Sequence, residues 1–191
     1  GNEAITLTEE LTVAQANILD GLTTGSITAT IGNSRVSDLL GSESESLTNA
    51  NGNNAYSISI ATEDAAVSAS ALNAVATITS LPVNLANVTS ITPSSLTDLE
   101  NLSTRIATSR FTNAAGFTTI AVSDETIDAS KLASMIEAYD FINGLNTTLT
   151  TLASGATINI DASEIPFVLG HVTGSISGGS RLTISDQNIL V

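Results

Sequence analysis

The sequence predicts an α/β fold of repeated strand–helix units, stacked solenoid-like on a parallel sheet with helices. Three observations carry that expectation. Short alternating runs such as Tyr56–Ile60 (YSISI) recur along the chain, each followed by a Ser-, Thr- or Asp-rich turn and an apolar stripe at helical spacing. The clearest unit spans Phe117–Gly144: a strand with Ile120 and Val122 on one face, Asp128 as N-cap, a stripe of Leu132, Met135, Ile136, Tyr139 and Ile142, and Gly144 as stop. Apolar anchors at helix starts fall at Ile18, Leu39, Leu72, Leu96, Leu132, Ile165 and Ile189, with spacings of 21, 33, 24, 36, 33 and 24 residues. These spacings lie in the range of solenoid repeats, whose units bury their apolar sides only against neighbours. An all-β solenoid suits the Thr-rich strands but not the stripe from Leu132 to Ile142. A non-repetitive α/β domain would leave the recurrence of Asp-Ala-Ser at 128 and 161 to chance.

In chain order, Ile5–Thr8 alternates as a strand. Thr12 and Gln15 match a capping box that opens a helix carrying Ile18, Leu19 and Leu22. Ser26–Ile31 is a strand and Val36–Leu40 one helical turn. Gly41–Asn54 (GSESESLTNANGNN) is a polar, low-complexity stretch expected to be a flexible loop. After Tyr56–Ile60, Thr62-Glu63-Asp64 leads into a helix whose expected stripe is Val67, Ala71, Ala74, Val75 and Ile78. Leu81–Ile91 is ambiguous, because Pro82 and Pro93 forbid one continuous helix. Ser94 or Ser95 caps the next helix. Beyond Gly144 come Leu145–Leu152, a strand at Ala156–Ile160, a helix start at Asp161–Pro166, the Gly170–Gly179 turn region and a last strand at Arg181–Ser185.

Apolar residues make up 42% of the 191 residues and mean hydropathy is +0.28, enough for a core. Aromatics are only 3%, so that core is built from Ile, Leu, Val and Ala. Nineteen acids against 5 bases give a net charge of −14, which repels phosphate backbones and excludes nucleic acid as a partner class. The same surface attracts divalent cations, although solubility alone also accounts for it. With no cysteine, disulfides and zinc–thiolate sites are excluded. No apolar run reaches the length of a membrane span. Gly1 reads as a cleavage scar and the chain stops on Ile189-Leu190-Val191, so the sequence is expected to be one repeat domain, 1–191, cut from a longer polypeptide.

The phrases ITLTEELTVAQANILDGLTTGSITATI, VSDETIDASKLASMI and INIDASEI resemble the degenerate tandem repeats of very large secreted bacterial surface proteins: adhesin-like, S-layer-like and haemolysin-type calcium-binding proteins. That resemblance implies export, a structural or adhesive role, and frequent calcium dependence. The calcium nonapeptide pattern is absent, however, and Gly178-Gly179-Ser180-Arg181-Leu182 only begins like it. Leucine-rich repeats are a second comparison, through Leu81–Ile91 and Leu145–Ile160, but their Asn-containing core is poorly met.

Catalytic chemistry is sparse. His171 is the only histidine, with no GxSxG elbow beside it, and neither a Walker loop nor GxGxxG occurs. Paired carboxylates, Asp124/Asp128 or Asp161/Glu164, are the one enzymatic option, as in a glycoside hydrolase, and the lack of aromatic sugar platforms speaks against it. The acids Asp124, Glu125, Asp128, Asp161 and Glu164 are candidate calcium ligands, because turn-borne oxygens at such spacing can converge on a hard cation. Helix capping is the competing role for the same residues. Sequons at Asn87, Asn101 and Asn146 are expected by chance in so Asn- and Thr-rich a chain. The expectation is therefore a non-enzymatic, extracellular structural or interaction segment of a bacterial surface protein. Its partners would be neighbouring segments, further copies of itself, or a surface glycan or protein.

Overall fold

The computed structural model describes residues 1–41, 45–114, 117, 119–142, 149–153, 156–160 and 181–184. The fold is α/β, with parallel sheets flanked by helices. Its elements are β1 (Ile5–Leu11), α1 (Val13–Leu22), β2 (Ile27–Ser34), α2 (Val36–Leu40), β3 (Ala55–Ile60), β4 (Ala66–Ser68), α3 (Ala69–Ile78), β5 (Val83–Asn84), β6 (Ser90–Ser94), α4 (Leu96–Ala107), β7 (Phe111–Thr112), β8 (Thr119–Val122), β9 (Thr126–Asp128), α5 (Ala129–Ile142), β10 (Leu149–Leu152), β11 (Thr157–Ile160) and β12 (Arg181–Ile184). Three sheets run in the orders β1-β2-β3-β5-β7, β10-β8-β6-β4 and β12-β11-β9, and every described ladder is parallel. Among the described residues none closes into a barrel. In a parallel sheet each strand must return through a crossover, and here the helices supply it.

Strand pairing places like residues on like. Ile31 lies opposite Ile58, Val67 opposite Ile91 and Ile91 opposite Ile120, and Ile127 opposite Ile158. All of these are buried. Each contributes about 1.5–3 kcal/mol of transfer free energy, so the alternating β-branched pattern is the source of register as well as core. Helices α2, α3, α4 and α5 pack each on the next. Their inward faces present Leu39, then Leu72 and Val75, then Leu99 and Leu102, then Leu132 and Met135.

Among the described residues the expected elements are found, with three corrections. Thr62–Asp64 forms only a 3₁₀ turn, and α3 begins at Ala69 after a short strand. The buried stripe of α3 is accordingly Ala69, Leu72, Val75 and Ala76, while Val67 belongs to β4. Ile18, expected as an anchor, is 63% exposed, and the buried positions of α1 are Ala16 and Asp20. The ambiguous segment resolves into β5, a turn and the start of β6, an extended course that keeps Pro82 and Pro93 out of any helix. The Asp161–Pro166 helix start with its anchor Ile165, the anchor Ile189, Gly144 and the Gly170–Gly179 turn lie outside the described residues.

Helix ends follow local chemistry. The α1 capping box is complete: the Thr12 hydroxyl accepts from the Gln15 N–H at 3.2 Å and the Gln15 side chain accepts from the Thr12 N–H at 2.9 Å. Ser68 and Ser95 cap α3 and α4. At the other ends, Thr23 and Thr79 hook back, their hydroxyls donating to the carbonyls of Glu3 just before β1 (2.8 Å) and of Tyr56 in β3 (2.7 Å). Gly25 follows Thr23 where the chain passes so close to Glu3 that a Cβ would stand 2.2 Å from its carbonyl oxygen; no other residue fits.

Candidate functional site

The most regular polar feature of the molecule is a set of side chains that reach from one strand–helix unit to the helix of the unit before it. The first N–H of a helix has no partner within the helix. In α2 the Val36 N–H donates to Asp64 Oδ2 at 2.6 Å, 28 residues ahead. In α3 the Ala69 N–H donates to the Ser94 hydroxyl at 2.9 Å, 25 residues ahead. In α4 the Leu96 N–H donates to Asp124 Oδ2 at 2.7 Å, again 28 residues ahead. A carboxylate at a helix N-terminus also meets the positive end of the helix dipole. The C-terminal end of α3 is held in the complementary way: the Arg110 guanidinium donates to the carbonyls of Ala76 (2.6 Å), Thr79 (2.5 Å) and Ser80 (2.8 Å).

These contacts place the expected calcium ligands. Asp124 and Asp128 serve different helices. Asp124 caps α4 of the preceding unit, whereas Asp128 caps its own helix, Oδ1 accepting from the Lys131 N–H at 3.0 Å. Hydrogen bonds from the Ser130 hydroxyl (2.6 Å) and then the Lys131 N–H hold the Asp128 carboxyl below its ordinary value. Glu125 is exposed, and its main-chain carbonyl accepts from the Thr157 N–H at 2.8 Å. Among the described residues no group of three or more His, Asp or Glu is gathered as a metal site. Asp161, Glu164 and His171 lie outside the described residues. Of the sequons, Asn87 donates its side-chain amide to the Ile60 carbonyl at 2.8 Å, Asn101 is exposed on α4, and Asn146 is outside the described residues.

A second polar cluster lies under the stretch expected to be a loose loop. Residues 45–54 run across α1. Asn17 donates to the Ser46 carbonyl (2.9 Å) and accepts from the Thr48 N–H (2.8 Å), and Leu47 is buried. Asp20, 6% exposed, accepts from the Ala50 N–H (3.1 Å) and the Asn54 amide (2.7 Å). Asn54 is fully buried, and its Oδ1 accepts from the Ile27 N–H at 2.9 Å, tying α1, β2 and the loop together. Burial alone would raise the Asp20 pKa. The bonds from Ala50, Thr48 and Asn54 outweigh it and hold the carboxyl below its ordinary value. Tyr56, whose hydroxyl meets the Asn54 amide at 3.0 Å, is pushed up to about 12 by burial and by the Asp20 charge. An open groove of about 530 Å³ between α1 and the loop is lined by Asn17, Asp20, Glu45 and Thr48. Its buried carboxylate is already fully engaged.

The remaining candidate is the outward face of the first sheet. Alternation sends Ile27, Ala29 and Ile31 inward and exposes Thr28 and Thr30; in β3 it exposes Ser57 and Ser59. Thr6 lies opposite Thr28, and Thr30 opposite Ser57. Beyond them Asn84 donates to the Ser59 hydroxyl (3.1 Å) and accepts from the Asn113 amide (2.9 Å), a polar chain from β3 through β5 to the residue that follows β7. The result is a sheet face of ranked hydroxyls and amides, a surface able to hydrogen-bond polar partners.

The inter-unit caps were not anticipated from sequence, yet a signal for them exists. Ser34-Arg35-Val36 followed by Asp64 recurs sixty residues later as Ser94-Ser95-Leu96 followed by Asp124. Compared with models of known protein families, with curated proteins and with solved structures, the chain has no match.

Proposed function

We propose that this chain is a solenoid-like stack of strand–helix units that serves as a structural or adhesion-type interaction segment of a large extracellular bacterial surface protein. The observation that carries the reading is the row of side chains, Asp64, Ser94 and Asp124, each capping the helix of the unit before it. Polar groups used this way make each unit the completion of its neighbour, as repeat stacks require. Supporting it are the acidic composition and the outward Thr/Ser/Asn face, which suits a glycan, a protein or another copy as partner. Calcium enters the proposal as a ligand of the acidic surface rather than as the organiser of the 124–128 turn, because Asp124 and Asp128 already accept main-chain hydrogen bonds. No catalytic step is assigned.

The test is labelling of intact producing cells with an antibody raised against the purified chain. Labelling without permeabilisation, lost on brief external protease treatment, is expected. Labelling only after permeabilisation would overturn the extracellular assignment.

A further inference from the structure

The loop that crosses α1 carries a chemical feature the capping scheme does not use. The sequence holds two Asn–Gly pairs, Asn51–Gly52 and Asn143–Gly144, and the first lies within the described residues. Asn51 and Gly52 are both exposed, at the tip of a turn. Gly52 adopts a left-handed φ of 68°, and a Cβ built there would meet nothing within 4 Å, so the tip of the turn stands in open space. Its N–H makes a single bond, to the Asn49 carbonyl at 3.0 Å. Asn49 and Asn54, in the same loop, are placed differently. The side chains of Asn49 and Asn54 are held by hydrogen bonds, and both residues precede an alanine, whose Cβ crowds the nitrogen that would attack.

We infer that Asn51–Gly52 is a self-modification site, at which Asn51 converts spontaneously to aspartate and isoaspartate. The Gly52 nitrogen, on losing its proton to hydroxide, attacks Cγ of Asn51. The new C–N bond closes a five-membered succinimide and the side-chain nitrogen leaves as ammonia. Water then opens the ring at either carbonyl, giving an ordinary aspartate in place of Asn51 or an isoaspartate whose main chain runs through the former side chain. No oxidant or cofactor is needed. Either product adds one negative charge, and isoaspartate also lengthens the main chain between Ala50 and Asn54. Those two residues supply the N–H and amide that hold Asp20, so their spacing is what the loop clamp depends on. Modification therefore loosens the 45–54 segment over Leu47.

The experiment is incubation of the full purified chain over a series of mildly acidic to mildly alkaline buffers, followed by peptide mapping with mass spectrometry that separates the aspartate and isoaspartate forms. Conversion at Asn51 is expected to rise in proportion to hydroxide. It is expected to exceed that at Asn54 by roughly tenfold or more, a barrier difference of about 1.4 kcal/mol. Asn51→Gln should abolish it and leave the thermal midpoint of fresh protein unchanged. The aged wild type, but not aged Asn51→Gln, should show faster amide exchange across 45–54. Conversion at Asn51 no faster than at Asn54 would overturn the site. Conversion without any change in exchange would overturn the loosening.

Discussion

Replacing Asp124 by alanine isolates a cap supplied by one unit to the helix of another. The structure sets the magnitude. Oδ2 stands 2.7 Å from the Leu96 N–H, a charge-assisted bond on a donor whose residue is only 6% exposed. Helix caps are worth about 0.5–2 kcal/mol, and bonds to charged groups about 1.5–3 kcal/mol. Because Asp124 is itself half-exposed, the lower part of that second range applies, about 1.5 kcal/mol. For a chain of this size that lowers the midpoint of thermal unfolding by about 3–6 °C. Asp124→Asn keeps an acceptor and loses the charge, so it should recover about half of the loss. Asp64→Ala should behave alike through the Val36 N–H. The assay is unfolding followed by circular dichroism, with calcium and with a chelator. A cap predicts the same loss in both. A midpoint within about 1 °C of wild type, or a loss seen only with calcium, would refute the reasoning.

Three further outcomes follow from other contacts. Arg110→Ala should cost about 2–3 kcal/mol by uncovering three carbonyls at the end of α3, with Arg110→Lys intermediate, measured by denaturant unfolding. Asp20, held below its ordinary value, contributes stability that is present above the unfolded carboxylate value near pH 3.9 and lost as pH falls through its folded pKa. Asp20→Asn should therefore lower stability at neutral pH by about 2 kcal/mol and flatten the acid limb of the stability–pH curve. The chain has two tyrosines, Tyr56 and Tyr139, both buried and both shifted upward by burial. A raised pKa favours the neutral phenol in the folded state, so this stabilisation is full below the ordinary value near pH 10 and is lost as pH rises. Ultraviolet titration should show little tyrosinate at that pH, with Tyr56 ionising only toward pH 12; ordinary ionisation near pH 10 would contradict the burial.

Local patterns carried the elements well and the long-range contacts poorly. Tyr56–Ile60 alternates strictly because one face is core, so its strand is evident from residue types alone. Leu132, Met135, Ile136 and Tyr139 declare the buried face of α5 in the same way. Ile18 misled because helical periodicity marks a stripe but not what covers it; α1 buries Ala16 and leaves Ile18 and Leu22 at the surface. Val67 and Ala71 fit a helical stripe as readily as a strand followed by a helix, and only pairing with β6 decides for the strand at Val67. Ser94 and Ser95 stand side by side as candidate caps, and both are caps: Ser95 serves its own helix and Ser94 the helix before it. The polar composition of 41–54 suggested a free loop, because composition does not reveal that Asn17, Asp20 and Ile78 supply partners for it. Partners 25 to 28 residues away are invisible to any window as short as a helix turn.

The central claim is that successive units complete one another through capped first-turn amides. Native-state hydrogen exchange, read amide by amide on the intact chain, tests it most directly. First-turn amides ordinarily exchange freely, because the helix offers them no acceptor. Slow exchange at Val36, Ala69 and Leu96, with Leu96 alone released by Asp124→Ala, is the predicted result. Exchange at all three as fast as in an unfolded chain would contradict it.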